Sequence, residues 1–393
     1  MTDEEKTNGD KQSPKRGRRR QRAHGTGSIF RRPERKGKQW IAQIILDNGK
    51  TRQHYFNTQE EAATALNEML YEQRRGKLVT GPRQTVEQYL EYWLEIHRAA
   101  LKISTYAVYR RHLTNHLLPG LGHYQLQSLT IDQVQAFYAK KQQEGLSPGT
   151  LRLLHAILLT AFKDAMKWRK LSFNVCENVT LPRMSKRDVN PLDQEEAKRL
   201  LTVAKGGSLE CLLTLALVTG MRLGELLALR WSDINFDGEL LQVCHTVDFI
   251  QGYGFVETEP KTESSKRILA LPQVALNALK QQRATQLEAR LKVGSAWQDQ
   301  GLVFTNEHGS YLGRSWVHLT FKKLLKQANL PTMRFHDLRH SAATILLSKG
   351  VNAKVVQEIL GHANISMTLG IYAHVLPAMQ RDAMGGMDDV FGG

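Results

Sequence analysis

Six polar residues in the C-terminal half of this chain are of the types that could together bind and attack a phosphate group. They are Arg222 in TGMRLGEL, Lys261 in EPKTESSKR, His336 and Arg339 in FHDLRH, His362 in ILGHA, and Tyr372 in GIYAHV. A hydroxyl that attacks phosphorus needs cations around the non-bridging oxygens, a proton donor for the leaving oxygen, and groups that manage its own proton. This set supplies all three, so it indicates phosphoryl transfer by a tyrosine nucleophile without a metal.

Arg222 or Lys261 alone would usually be a surface charge. The evidence for a role at a phosphate therefore comes from the residues around each of them. Arg222 begins an apolar helix, and Glu225 follows at a spacing that can orient its guanidinium for bidentate phosphate binding. Lys261 falls in a polar turn between two predicted strands, from which it could protonate a leaving oxygen. Lys266 in the same segment is an alternative donor that the sequence leaves open.

The segment HDLRH places two histidines four residues apart, as the HExxH motif of zinc proteases does. Its second residue is Asp337 rather than glutamate and no third ligand is evident, so we expect no metal site. His336 and Arg339 share a helix face and can address one phosphate. The chain also lacks a GxxxxGK(S/T) loop and an acidic cluster spaced for two metal ions. We therefore expect no cofactor, with the bond energy kept in a covalent enzyme–DNA link.

The composition favours a folded protein with a polyanionic partner. The 393 residues carry a net charge of +16, with 41% hydrophobic residues and 11 prolines. Such an excess of Lys and Arg makes nucleic acid the leading partner. Cys176, Cys211 and Cys244 are odd in number and widely spaced, which is typical of reduced core thiols. No apolar run could span a bilayer and no secretory signal is evident, so we expect a cytoplasmic, nucleoid-associated protein of a bacterial host with no membrane partner.

The sequence of residues 1–80 predicts a basic tail and a small β-sheet module. Residues 1–24 are polar and basic, and residues 25–80 carry an alternating run from Trp40. A turn at Asp47-Asn48-Gly49 and a second strand follow, and then a capping box formed by Thr58 and Glu61 opens a helix. We expect a short sheet of about three strands backed by one helix.

The rest of the chain predicts two further domains, so the fold class is multidomain α/β and α. The segments LPGLG (118–122) and GLSPG (145–149) are expected to break helices. The predicted divisions are an all-α domain at 83–183, a linker at 184–191, a mainly helical mixed α/β domain at 192–381 and a tail at 382–393.

Clusters of cations in three parts of the chain are predicted to contact DNA, since Lys and Arg neutralise backbone phosphates. They are Arg16, Arg18, Arg19 and Arg20 in the tail, Arg31, Arg32, Lys36, Lys38, Lys50 and Arg52 in the β-sheet module, and Lys102, Arg110 and Arg152 in the all-α domain.

The order Arg…Lys…His-x-x-Arg…His…Tyr resembles that of the tyrosine recombinases, also called the phage integrase family. Four segments are nearly identical to that family's motifs: TGMRLGEL, HDLRH, LGH and IYAHV. The resemblance covers residues 190 to 380, extends to a core-binding (SAM-like) domain at 83–183, and more loosely to an arm-type DNA-binding domain at 25–80. One departure is Leu369-Gly370 after Thr368, where the family often has two adjacent threonines. Gly370, two residues before Tyr372, is expected to loosen the helix that carries it.

The resemblance implies an integrase that cuts and rejoins DNA strands through a 3′-phosphotyrosyl intermediate, integrating and excising a mobile element such as a viral genome. It assigns each candidate residue a role: Tyr372 as nucleophile, Arg222 and Arg339 as the phosphate clamp, His362 as a further donor, His336 as proton acceptor, Lys261 as proton donor and Glu225 as support for Arg222.

The resemblance also implies partners. They are double-stranded DNA with core-type and arm-type sites, a homotetramer on that DNA, and an excisionase and a host DNA-bending protein as helpers. A phage and a conjugative transposon are equally compatible sources. Two alternatives stay open: a type IB-like topoisomerase, which uses similar residues without sequence choice, and a catalytically silent DNA-binding regulator.

Overall fold

The computed structural model describes residues 27–45, 51–74, 83–184, 190–259, 266–361 and 364. The chain divides into two compact units, here called the N-terminal unit (Met1–Met184) and the C-terminal unit (Ser185–Gly393). Each is described by itself. The predicted linker at 184–191 and the tail at 382–393 fall largely or wholly outside the described residues.

The N-terminal unit begins with an antiparallel sheet backed by a helix, as the sequence pattern predicts. Its elements are β1 (Ser28–Arg31), β2 (Trp40–Ile45), β3 (Thr51–Phe56) and α1 (Gln59–Arg74), with β2 in the centre of the sheet. Ala42 and Ile44 are fully buried and pack with Ala62 and Leu66 of α1. The expected capping box is present, because the Glu61 N–H donates to Thr58 Oγ1 at 3.2 Å. The predicted turn at 47–49 lies outside the described residues.

The remainder of the N-terminal unit is helical in its described residues. Its helices are α2 (Val86–His97), α3 (Ile103–His112), α4 (Leu118–Leu121), α5 (Ile131–Gln143) and α6 (Pro148–Lys167). Their apolar faces converge on one core that includes Trp93, Phe162 and Leu158, all almost fully buried. The predicted break at 145–149 is present, since α5 ends before it and Ser147 caps α6 through a 3.2 Å bond from the Thr150 N–H.

The helical run ends inside the predicted break LPGLG (118–122), at Leu121, but Pro119 itself does not interrupt it. A π-helical turn over Leu113–Leu117 joins α3 directly to α4, and the Leu118 N–H donates to the Leu113 carbonyl. Proline lacks an N–H and cannot accept a regular α-helical position without leaving a carbonyl unpaired. The wider π turn changes the bonding register just before Pro119, so the helical run continues through it.

The C-terminal unit contains seven helices and five strands among its described residues. They are α7 (Gln194–Ala204), α8 (Glu210–Thr219), α9 (Leu223–Leu227), β4 (Ile234–Asn235), β5 (Leu240–Val243), β6 (Thr246–Ile250), β7 (Gly254–Thr258), β8 (Arg267–Ala270), α10 (Gln273–Val293), α11 (Arg314–Gln327), α12 (Asp337–Ser348) and α13 (Ala353–Leu360).

The strands form two separate antiparallel groups. One sheet has the order β4-β5-β8, and β6 and β7 form a hairpin. Strand β5 ends at Val243, and β6 starts at Thr246. The two strands separate because β5 pairs with β8 whereas β6 pairs with β7.

Helix α8 is the centre of the C-terminal unit. Every residue from Cys211 to Leu217 is buried, and the helix packs against α7, α10 and α12. A helix that is apolar on all sides must be surrounded by other elements. The segment leading into α7 is also fixed to α12, because the Leu192 N–H donates to the fully buried Ser341 Oγ at 2.9 Å.

Gly220 ends α8 in a left-handed conformation with φ 62° and ψ 21°, and its position has no room for a side chain. A Cβ there would lie 2.2 Å from Leu360 Cδ2 of α13. We expect Gly220→Ala to destabilise the protein by about 2–5 kcal/mol, since left-handed backbone costs roughly 1–2 kcal/mol and overpacking adds roughly 1–3. Denaturant unfolding of the full chain measures this loss.

Gly350→Ala is the matched control for this prediction. Gly350 also has a positive φ (77°), but nothing lies within 4 Å of its Cβ position. Its substitution should cause only the backbone strain of about 1–2 kcal/mol. Equal losses in the two variants would contradict the close packing of Gly220 on Leu360.

Candidate active site

The structure describes four of the residues expected at the site and brings them into one network. Arg222 and Glu225 flank the start of α9, and His336 and Arg339 flank the start of α12. Lys261, His362 and Tyr372 lie outside the described residues.

Arg222 is held by its own helix and by α13. It precedes the first residue of α9, and its Nη1 donates to Glu225 Oε1 at 2.6 Å. Its backbone N–H also bonds Glu225 Oε2 at 3.0 Å. The Nη2 atom donates to the Gly361 carbonyl at 3.3 Å. The side chain is 36% exposed, so the guanidinium is oriented by these acceptors while keeping a solvent-facing side.

Glu225 is a buried carboxylate between two arginines. It is 3% exposed and accepts from Arg222 and from Arg267 Nη2, the latter at 3.0 Å. Burial opposes ionisation, but the adjacent Arg267 and Arg222 outweigh it and hold the pKa of the Glu225 carboxyl below its ordinary value. The carboxylate is therefore ionised at neutral pH, as the role of support for Arg222 requires.

Arg339 is the most deeply buried cation of the network. It is 4% exposed, and its Nη1 donates to the Gly220 carbonyl at 2.7 Å while its Nη2 donates to the Leu360 carbonyl. Burial and the nearby positive charge of Arg222 lower the pKa of Arg339 to about 9. The group remains protonated near pH 7, so a buried positive charge is available where α8, α12 and α13 meet.

His336 lies at the turn into α12, close to the cations Arg339 and Arg222. The loop before it is fixed by Asp337, whose carboxylate accepts from the Arg334 backbone N–H at 2.9 Å and from its guanidinium at 3.0 Å. Although His336 is exposed on one side, partial burial of its ring, together with the nearby His340 and Arg339, lowers its pKa below 6.5. A neutral imidazole at pH 7 can accept a proton, as the expected role demands.

The lowered pKa of His336 predicts the pH dependence of strand cleavage. If the neutral ring accepts the tyrosine proton, the single-turnover rate should not depend on this group above pH 6.5 and should fall as the pH drops further. His336→Gln should slow cleavage and remove that acidic limb. His340→Gln is the control, because the pKa of His340 is lowered in the same direction, chiefly by burial, without an assigned chemical role. An acidic limb centred above pH 6.5 would be inconsistent with this assignment.

Arg267 is a member of the network that the sequence reasoning did not select. Its side chain is 7% exposed, and its Nε donates to the Ile359 carbonyl at 2.7 Å. The available signal was the alternation of β8, in which Arg267 shares a face with the buried Leu269. Lys266, the alternative proton donor, is paired with Glu259 at 2.8 Å.

Four of the cations predicted to contact DNA in the β-sheet module are exposed. Arg31, Arg32, Lys36 and Lys38 are all exposed in or beside the loop between β1 and β2. Arg31 Nη2 is positioned by a 2.7 Å bond to Gln39 Oε1.

Among the other predicted DNA contacts, Arg52 on β3 donates to His54 Nε2 at 3.1 Å. Lys102, which precedes α3, is exposed. Arg110 forms an ion pair with Glu91, and Arg152 donates to the Pro182 carbonyl at 3.2 Å. The pairing with Glu91 offsets much of the charge that Arg110 would present to a phosphate. Arg16, Arg18, Arg19, Arg20 and Lys50 lie outside the described residues.

Two broader properties concern the described residues only. None of their helices is both long enough and apolar enough to cross a membrane. Within the same residues, no three His, Cys, Asp or Glu side chains are grouped so that they could hold a metal ion.

Known proteins resemble the chain over most of its length. The profile of the phage integrase family matches residues 190–379, and that of the phage integrase N-terminal SAM-like domain matches residues 85–142. A tyrosine recombinase XerC-like protein of Caldanaerobacter subterraneus subsp. tengcongensis is 33% identical over 369 residues, which span 88% of this chain and 94% of the relative. An integrase of Streptomyces ambofaciens is 29% identical over 384 residues, spanning 95% and 98%.

Solved structures share the fold. The Tn1549 transposon integrase in complex with a circular intermediate DNA has a TM-score of 0.65 at 23% identity, covering 77% of this chain and 99% of that one. The lambda integrase tetramer bound to a Holliday junction has a TM-score of 0.53 at 19% identity, covering 86% and 95%. The fold is that of a tyrosine recombinase, as the sequence predicted. The chain belongs to the phage integrase family and is an enzyme of site-specific DNA recombination.

Proposed function

We propose that this recombinase integrates and excises a mobile DNA element by cutting and rejoining strands through a 3′-phosphotyrosyl bond to Tyr372. The observation that carries the proposal is the convergence of Arg222 and Arg339. Their guanidinium groups donate to the adjacent carbonyls of Gly361 and Leu360, although they come from different helices. Two cations fixed at one point form the kind of site that binds a phosphodiester bidentately.

The chemistry assigned to the remaining residues follows from what a phosphate transesterification needs. The Tyr372 oxygen attacks phosphorus, and His336 accepts its proton. His362, which immediately follows the carbonyl bound by Arg222, donates to a non-bridging oxygen. Lys261 protonates the departing 5′ oxygen, after which the 5′-hydroxyl of another strand reverses the step. Bond energy is conserved in the phosphotyrosyl link, so rejoining needs no nucleotide.

We further propose that the substrate is double-stranded DNA bound at two kinds of site. The all-α part of the N-terminal unit and the C-terminal unit would bind the core site, and the β-sheet module with its exposed Arg32, Lys36 and Lys38 would bind an arm site. Two binding modules on one chain raise the effective concentration for bridging such sites. The reaction would take place on the DNA of a bacterial host.

The proposed assembly is a homotetramer on DNA. It is supported by the likeness of the fold to lambda integrase, which is a tetramer in its complex with a Holliday junction. An excisionase and a host DNA-bending protein are proposed as helpers that set the direction of recombination.

Trapping of covalent protein–DNA adducts tests the proposed function. Purified protein is incubated with sheared DNA from the source cell, with a chelator and without ATP, then denatured, and the attached ends are sequenced. We expect adducts at one short inverted-repeat site, each through a 3′ end. Scattered adducts would favour a type IB-like topoisomerase. The absence of adducts alongside tight DNA binding would indicate a silent regulator and contradict the proposal.

A further inference from the structure

Arg267 occupies a central place in the site without belonging to the six residues that the chemistry requires. It is the first residue of β8. Its Nε donates to the Ile359 carbonyl at 2.7 Å, and its Nη2 donates to Glu225 Oε2 at 3.0 Å. The side chain is 7% exposed and Glu225 is 3% exposed. This ion pair is therefore inside the protein, where removal of one partner is costly.

The contact with Ile359 belongs to a larger pattern at the end of α13. Three consecutive carbonyls, those of Ile359, Leu360 and Gly361, accept from the guanidinium groups of three different arginines: Arg267, Arg339 and Arg222. The last carbonyls of a helix have no partners within it and form the negative end of its dipole. Here each of the three carbonyls is bound by a cation from a different element.

The end of α13 is also the point that immediately precedes His362 in the sequence. Gly361 ends the helix in a left-handed conformation with φ 66°, and the next residue is His362. The three arginines that bind these carbonyls therefore fix this end of the helix. Two of these arginines, Arg222 and Arg339, are the ones assigned to the phosphate.

We propose that Arg267 is a positioning residue that joins the Glu225–Arg222 pair to the carbonyl end of α13 and so fixes the distance between Arg222 and Arg339. The inference rests on the proposed function for the roles of those two residues. Arg267 acts through Glu225 and through the backbone, since both of these contacts point into the protein. A planar guanidinium can donate in two directions at once, whereas the single ammonium of lysine cannot hold both acceptors.

Three variants of the full chain test this proposal: Arg267→Lys, Arg267→Gln and the control Arg290→Lys. Arg290 is a half-exposed arginine of the same unit, paired with Asp299 at 2.8 Å. For each variant, amide hydrogen exchange over residues 353–361 is measured by mass spectrometry. Dissociation of the DNA site identified by adduct sequencing, or of sheared DNA if none is found, is measured alongside. The single-turnover cleavage rate at saturating protein completes the comparison.

We expect Arg267→Lys, which keeps the charge beside Glu225, to fold normally. Exchange at the end of α13 should be roughly 10-fold faster, because one of its carbonyl bonds is lost. The saturating cleavage rate should fall about 30- to 100-fold, while the dissociation constant changes less than about threefold, since misplacement of a catalytic group affects the chemical step. Arg267→Gln should show larger losses of the same kind, and Arg290→Lys should resemble the unchanged protein.

Two results would overturn the proposal. One is unchanged exchange and cleavage in Arg267→Lys. The other is a cleavage loss in Arg267→Gln that only matches the fraction of unfolded protein, which would make the role purely structural. If the unchanged protein forms no adduct, the proposed function itself fails. The exchange data still decide whether Arg267 holds the end of α13, and unchanged exchange in both Arg267 variants would overturn that link.

Discussion

Replacement of Tyr372 by phenylalanine is expected to abolish covalent adducts and strand joining while leaving DNA binding within about twofold. Phenylalanine lacks only the hydroxyl, so it cannot form an ester with phosphorus, whereas the contacts that bind DNA come from other residues. Residual cleavage should be at least roughly 10⁴-fold below that of the unchanged protein, since loss of a nucleophile removes the step itself. Adduct yield and DNA dissociation are measured on the same preparations.

Tyr253→Phe is the matched control for this experiment. Tyr253 lies at the turn of the β6–β7 hairpin and is 46% exposed, so its hydroxyl is also accessible. It should retain full adduct formation. Adducts that persist in Tyr372→Phe would mean that another hydroxyl attacks the phosphate, and their loss in Tyr253→Phe would identify it.

The second large effect is expected from Arg339→Lys, although the substitution keeps the positive charge. Arg339 donates to the carbonyl of Gly220 and to that of Leu360, and lysine cannot bridge both. A buried carbonyl without its donor costs about 1–3 kcal/mol. Loss of one preorganised donor to the phosphate lowers the cleavage rate by roughly 10²–10³. Both unfolding and single-turnover cleavage should therefore be strongly affected.

Arg334→Lys separates this effect from a general intolerance of the segment to lysine. Arg334 is five residues earlier and 53% exposed, and its side chain pairs with the buried Asp337. A lysine can retain such a pair, so cleavage should change no more than a few-fold. Equal losses in the two variants would show that the buried geometry of Arg339 does not determine the rate.

Features that depend on local periodicity could be predicted from the sequence. The strand from Trp40, the helix capped by Thr58 and the break before Pro148 are set by neighbouring residues, and the structure contains all three. In the segment LPGLG the helix passes Pro119 and ends at Leu121. A π turn is set by the register of hydrogen bonds rather than by composition, so the proline did not show where within the segment the helix ends.

The composition of the site could be predicted only in part. Four residues of the site lie in motifs that can be recognised in the sequence, and the structure places them close together. They are Arg222, Glu225, His336 and Arg339. Arg267 was missed because its meaning comes from a backbone carbonyl 92 residues away in the sequence. A carbonyl has no signature in a sequence, so contacts of this kind become visible only once helices are placed against one another.

The bond between Leu192 and Ser341 has a mechanical consequence. The described part of the C-terminal unit begins at residue 190, and the Leu192 N–H is hydrogen-bonded at 2.9 Å to a buried serine two residues after Arg339. A force on the chain before Leu192 is thus transmitted to α12 through this hydrogen bond. A pull that originates outside the C-terminal unit therefore acts on the helix that holds the most deeply buried cation of the site.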